Sequence, residues 1–237
     1  MKVIGLVLAA AATALWASLA SAITIADPTD WTSGWVYSTV EVAGAGAASF
    51  TVEPAGGNPG ARLNSTTVTP TSADTAFGAA LYQGVTVAAP LSATSFTMQL
   101  DVLSGAGDFG QGQGVQALVS QGGSLYQTSL GITGFPFNSF TTLTFSGTFT
   151  SAAFTKISGA GPATPSFDGV TPTNFGFAVG NNMSATLTQY YDNWNISFSA
   201  PPPQVVPTAV PALSTGSLLS LTLLVALVSI GVWRRRR

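Results

Sequence analysis

The central part of this chain predicts an all-β fold, a sandwich or barrel of antiparallel strands, from three observations. Residues 23–199 contain no long stretch with apolar side chains at helical spacing. Short runs that alternate apolar and polar residues recur instead, as strands with one buried face require. Gly, Pro and Asn clusters separate those runs. Many short strands with one apolar face each must bury those faces against a second sheet, or by closure.

Taken in chain order, residues 1–22 read as a secretory signal peptide. One early positive charge (Lys2) precedes an apolar stretch, and the segment closes on Ala20-Ser21-Ala22, with cleavage expected after Ala22. The ectodomain spans 23–199. Weaker strands are expected at 50–52, 62–68, 79–87, 126–132 and 190–198. The strongest alternation is at 95–102, where Phe96, Met98, Leu100 and Val102 share one face and Thr97, Gln99 and Asp101 the other. Val115, Ala117 and Val119 repeat the pattern, as do Leu143, Phe145 and Phe149, and Phe175, Phe177 and Val179. The turn-rich pieces are 56–60, 104–114 and 158–169. In the first, GGNPG, glycines accept positive φ and Asn-Pro-Gly fixes a bend.

Residues 200–209 form a Pro-rich linker whose prolines favour an extended spacer. Residues 210–237 close the chain. Their uncharged stretch 214–233 is 20 residues long, enough to cross a hydrocarbon core of roughly 30 Å as one transmembrane helix. The Arg234, Arg235, Arg236, Arg237 cluster then stays cytoplasmic and leaves the ectodomain outside. The expected location is therefore the inner membrane with the ectodomain beyond the cytoplasm, or the cell surface after processing.

Composition narrows the function. All nine acidic residues lie in the ectodomain, with only Arg62 and Lys156 as basic partners, a net charge of −7. Nucleic acid is excluded as a partner, because no basic stripe is present to neutralise phosphates. There is no cysteine and no histidine. Ser-His-Asp and Cys-His catalysis and His-ligated metal sites are thereby ruled out. A carboxylate pair of the glycosidase kind remains, but no Asp-x-Asp or Glu-x-Asp shares a strand face. The expectation is a non-catalytic protein.

Two regions stand out. In YYDNWNISF at 190–198, alternation places Tyr190, Asp192, Trp194, Ile196 and Phe198 on one face that looks buried. A carboxylate there must be hydrogen-bonded or metal-bound. In DWTSGWVYS, Trp31, Trp35 and Tyr37, and later Tyr82 and Tyr126, are candidates to stack on sugar rings; the competing role for each is to fill the core.

Two resemblances follow from these residues. The closing strand YYDN and the turn GGNPG resemble those of extracellular jelly-roll modules, the carbohydrate-binding and laminin-type sandwiches. That resemblance implies a jelly-roll-like β-sandwich, polysaccharide as partner, and a structural Ca²⁺ held by Asp192 with Asp27 or Asp30. Calcium takes 6–8 oxygen ligands and needs no histidine. At the other end, Val210-Pro211-Ala212-Leu213-Ser214, an apolar helix and a basic stop resemble the IPTL-CTERM sorting signal, a relative of the PEP-CTERM signals handled by exosortases. The family's following Trp-Gly pair is replaced here by Thr215-Gly216-Ser217. The resemblance implies an exosortase-like enzyme that cuts near 211–213. Together these readings describe an envelope-anchored or surface-sorted structural or adhesive protein that binds polysaccharide. The alternatives are an enzyme acting on exopolysaccharide and a self-associating matrix protein without ligand.

Overall fold

The computed structural model describes residues 22–27, 31–105, 113–128 and 138–199. Residues 1–21 of the signal peptide, Asp30, the linker, the sorting segment and part of the expected strand at 126–132 lie outside the described residues; Ala22, the expected last residue of the leader, opens the first strand. No helix among the described residues is long and apolar enough to cross a membrane.

Two six-stranded antiparallel sheets pack face to face. In chain order the strands are β1 (Ala22–Ala26), β2 (Trp35–Ala43), β3 (Ala47–Gly57), β4 (Gly60–Val68), β5 (Thr75–Val87) and β6 (Ser95–Ser104). They continue as β7 (Gly114–Gln121), β8 (Ser124–Thr128), β9 (Thr141–Thr148), β10 (Phe154–Ser158), β11 (Thr173–Asn181) and β12 (Thr186–Ser199). Sheet A runs β3-β4-β12-β6-β9 with β1 also on β12; sheet B runs β10-β8-β7-β11-β5-β2. Most connections cross from one sheet to the other, so the chain weaves both layers together.

The alternation that predicts the strands also fills the core. Phe96, Met98, Leu100 and Val102 of β6 face Val115, Ala117 and Val119 of β7 and Phe175, Phe177 and Val179 of β11 in one buried cluster. Phe149 stacks on Phe96 with centroids 4.6 Å apart and meets the edge of Phe198 at 5.5 Å. Gly78 lies where a Cβ would meet the Phe50 ring at 2.7 Å, so the residue there must be small for β3 to close over β5. A second apolar cluster (Val40, Ala79, Leu81, Leu118 and Ala178) occupies the other side of sheet B. Three strands are additional to those expected: β1, β2 and β10.

Candidate functional site

The site around Asp192 is created by an exchange of partners along β12. Its first half pairs with β4 up to Tyr191↔Leu63, and its second half pairs with β1 from Asn195↔Ala26. Between these two ladders Asp192 and Asn193 have no strand partner on that edge, and the 57–60 turn and Trp31 fill the gap. On the other edge, β6 continues past the same point with a bulge: Asp192 opposes Asp101 and Asn195 opposes Gln99. Asn193 and Trp194 together oppose one residue of β6, and Asn193 adopts a left-handed φ of 50°.

That single extra residue corrects the expected face. Tyr191, Trp194, Ile196 and Phe198 point into the core. Tyr190 and Asp192 do not share that face, because the bulge reverses the alternation between Tyr191 and Trp194. Tyr190 instead lies under Arg62, whose guanidinium carbon is 3.6 Å from the ring centroid.

Asp192 is nevertheless buried, 3% exposed, and so is Asp101 at 5%. Carboxylates directly opposite each other across a ladder repel. Neutral donors answer them. Asp192 accepts the backbone N–H groups of Asn58 and Asn193 and a bond from the Trp31 side chain. Asp101 accepts the side-chain amides of Asn58 (3.2 Å) and Asn193 (2.8 Å) and the hydroxyl of Thr142 (2.5 Å). Asn193 also donates to the Asn58 carbonyl at 2.5 Å, which ties the turn to the bulge. Burial pushes the Asp192 carboxyl above its ordinary range, the bonds from Asn58, Asn193 and Trp31 pull it back, and the charge of Asp101 adds to the rise. Gly57 completes the roof: a Cβ there would meet Asp192 Oδ2 at 2.6 Å.

Asp27 and Asp192 are bridged by Trp31. The Trp31 backbone N–H donates to Asp27 at 2.6 Å while its side chain serves Asp192. The Tyr37 hydroxyl donates to the Trp31 carbonyl at 3.0 Å, and burial first, then the Asp27 charge, holds that phenol well above its usual range. The carboxylate across from Asp192 is thus Asp101, which the sequence places only on the polar side of a strand. Among the described residues no three acidic side chains converge. The two carboxylates are the oxygen ligands a hard cation would take here; the asparagine side chains meet Asp101 through their NH2 groups and would have to turn their amide oxygens inward to join them, and among the described residues no cationic side chain is bonded to either acid.

The aromatic platform needs correction. Trp31, Tyr82 and Tyr126 are 2%, 6% and 0% exposed and lie in the core, out of reach of a sugar ring. Trp35 and Tyr37 are half-buried on the inward face of β2 and pack against that core. Trp35 contacts Trp31 at 4.7 Å and Trp194 at 5.2 Å, and Tyr37 stacks on Phe50 at 5.4 Å. Alternation along β2 turns both rings toward the opposite sheet, where they bury more area than any exposed position offers.

No family model and no curated protein matches the sequence. Among solved structures, the chain is similar to a family 11 carbohydrate-binding module from Clostridium thermocellum, in complex with a beta-1,3-1,4-mixed-linked tetrasaccharide. Identity is 11% over 73% of this chain and 94% of that chain, with a TM-score of 0.44. The CBM22-1 xylan-binding domain of Paenibacillus barcinonensis Xyn10C shows 10% identity over 76% and 95% of the two chains, with a TM-score of 0.41. An exo-beta-agarase shows 15% identity over 77% of this chain and 26% of that one, with a TM-score of 0.40.

Proposed function

We propose that this protein is an exported, envelope-anchored or surface-sorted, non-catalytic module, a structural or adhesive component of the cell surface or extracellular matrix that binds polysaccharide. The observation that carries this reading is the pairing of β1 with the last half of β12. It sets Ile23, the first residue after the expected cleavage, opposite Phe198, so both ends of the sandwich lie side by side. In sequence the Pro-rich linker, the apolar 214–233 and the arginines follow Ser199.

The acidic side chains support a non-catalytic role, since those placed in detail serve the fold. Glu53 pairs with Arg62 at 2.6 Å. Asp74 accepts N–H groups from Ala45 and Thr71, each at 2.8 Å. Asp101 and Asp192 are buried under the turn. Glycoside hydrolysis needs two carboxyl groups flanking an accessible bond. Calcium belongs to the proposal as a structural ion. Asp101 and Asp192 would hold it, joined by the side-chain oxygens of Asn58 and Asn193 once those amides turn from donating to Asp101, and it would supply positive charge between two acids.

Two measurements test the reading. Mass spectrometry of surface material from the native host is expected to find a chain ending within 211–213; only full-length protein in the inner membrane would refute sorting. A glycan array probed with the full chain, with and without calcium, is expected to retain polysaccharide, and a blank array in both conditions would refute the binding role.

A further inference from the structure

The outer face of sheet A changes character along its length. Around β3, β4 and the first half of β12 it carries the Glu53–Arg62 pair and Tyr190. Where β1, the second half of β12, β6 and β9 lie side by side, the face becomes uncharged at its surface: Asp101, the acid of β6 on this face, is 5% exposed and covered by its hydrogen-bond donors. One row across all four strands reads Thr24, Ser197, Thr97, Ser146, each opposite the next in register. The adjoining row reads Asn195, Gln99, Thr144. Thr24, Thr144 and Ser146 are exposed, and the others are half-exposed. Thr97 and Ser146 are near enough to share a hydrogen bond at 3.4 Å. At the end of these rows lies a shallow pocket of about 200 Å³ whose rim includes Ser95, Thr97, Ser197 and Ser199.

Each of these side chains can donate as well as accept. Strand geometry repeats them at about 4.8 Å across the sheet and about 6.8 Å along it. An uncharged lattice of this kind on a domain of net charge −7 selects its partner by charge. A polyanion is repelled by the domain and finds no cation on the face among the described residues, and a basic partner finds no exposed carboxylate, since Asp101 is buried under its donors. A neutral polyhydroxylated chain meets both demands, offering hydroxyl donors and acceptors at regular intervals. With the candidate aromatics turned inward, contact on this face rests on hydrogen bonds, individually weak and summed along the polymer.

We propose that this hydroxyl-bearing half of sheet A is the polysaccharide-contacting surface, that its ligand is a neutral polysaccharide, and that the pocket at the end of the rows seats one sugar unit. The proposal rests on the polysaccharide-binding reading given above. It is tested by affinity electrophoresis of the full chain in detergent, through gels containing dextran, mixed-linkage β-glucan, xylan or carboxymethylcellulose. The native chain should be retarded by at least one neutral polymer and not by carboxymethylcellulose. The double variant Thr97→Val/Thr144→Val removes two hydroxyls and keeps β-branched side chains. It should lose at least fivefold in affinity at an unchanged melting midpoint, while Thr155→Val, at an exposed position of β10 in sheet B, should bind as native. Should the double variant fold poorly, Thr144→Val alone, at an exposed position of β9, should lose about twofold. Equal binding by native and well-folded variant, or retardation by carboxymethylcellulose alone, would overturn this site while leaving polysaccharide binding in place. No retardation by any polymer would overturn both.

Discussion

Trp31→Ala separates the two roles open to the aromatic residues of this domain. Trp31 is 2% exposed, its ring lies 4.7 Å from Trp35 and 6.0 Å from Phe177, and its side chain bonds Asp192. Truncating a buried tryptophan costs about 3–5 kcal/mol from lost transfer and the cavity left behind. For a domain of 150–250 residues each kcal/mol lowers the midpoint by about 2–4 °C, so a fall of roughly 6–20 °C is expected. The backbone supplies an internal control. Trp31 holds φ at 68°, a left-handed conformation that costs an L-residue roughly 1–2 kcal/mol and glycine almost nothing. Trp31→Gly should therefore melt above Trp31→Ala although it removes one more carbon. Thermal unfolding followed by near-ultraviolet circular dichroism reads both effects. A Trp31→Ala chain that melts within 2 °C of native and has lost polysaccharide retention would refute the core assignment and restore the ring as a surface platform.

Three further outcomes are expected. Gly57→Ala should cost about 1–3 kcal/mol of stability, read as a lower urea midpoint at constant m, because its Cβ meets the Ala61 carbonyl and Asp192 Oδ2 with no room to shift; an unchanged midpoint would mean that the turn does not roof the acid pair. If calcium occupies the Asp101–Asp192 site, a hundredfold excess over Kd contributes about 2.7 kcal/mol. Excess EDTA should then lower the melting midpoint by about 5–11 °C. Asp101→Asn and Asp192→Asn should each abolish that response, and a native curve indifferent to EDTA would remove calcium. Asp74 is held below its usual carboxylate range, chiefly by the Ala45 N–H and then by Thr71. A depressed folded pKa adds stability that is present above the unfolded value and lost as pH falls through the folded one. Asp74→Asn should thus be less stable than native at pH 7 and converge with it in strong acid, and parallel curves from pH 7 to pH 2 would contradict this.

The strands that sequence alone reveals are those whose inward residues are large and whose intervening residues are polar or small. β6 and β11 announce themselves through Phe96-x-Met98-x-Leu100 and Phe175-x-Phe177-x-Val179. β1 does not, because AITIA begins at Ala22, where the leader's small-residue ending also falls. β10 is five residues long, with a register shift between Lys156 and Ser158. Aromatic identity likewise says little about position: Trp31 and Tyr82 have the chemistry of a platform, and only the packing of β2 against β5 and β12 shows them inside. Asp192 is conspicuous in the sequence, but its partner is not. Asp101 is one polar residue among three on its strand face, and only the cross-strand register, a contact between residues far apart in sequence, selects it.

That register explains how two acids remain buried together. Two carboxylates about 5 Å apart repel by roughly 3 kcal/mol at an effective dielectric near 20. Three donors reach Asp192 and three reach Asp101. A hydrogen bond to a charged group stabilises by about 1.5–3 kcal/mol net, so these bonds can offset the repulsion, while burial remains the larger cost and keeps the Asp192 carboxyl above its ordinary range. Without the bulge, Asn193 would present neither its backbone N–H to Asp192 nor its amide to Asp101. Without the turn, Asn58 would offer neither of its donors. Both acids thus share Asn58 of the turn and Asn193 of the bulge, while Trp31 serves only Asp192 and Thr142 of β9 only Asp101, and the cage forms only when β3, β4, β6, β9 and β12 have met. It follows that a cation at this site would add to a clamp that already closes by itself. Its removal should shift a melting midpoint and leave the sandwich folded, whereas loss of the turn or of the bulge should loosen the junction with calcium or without it.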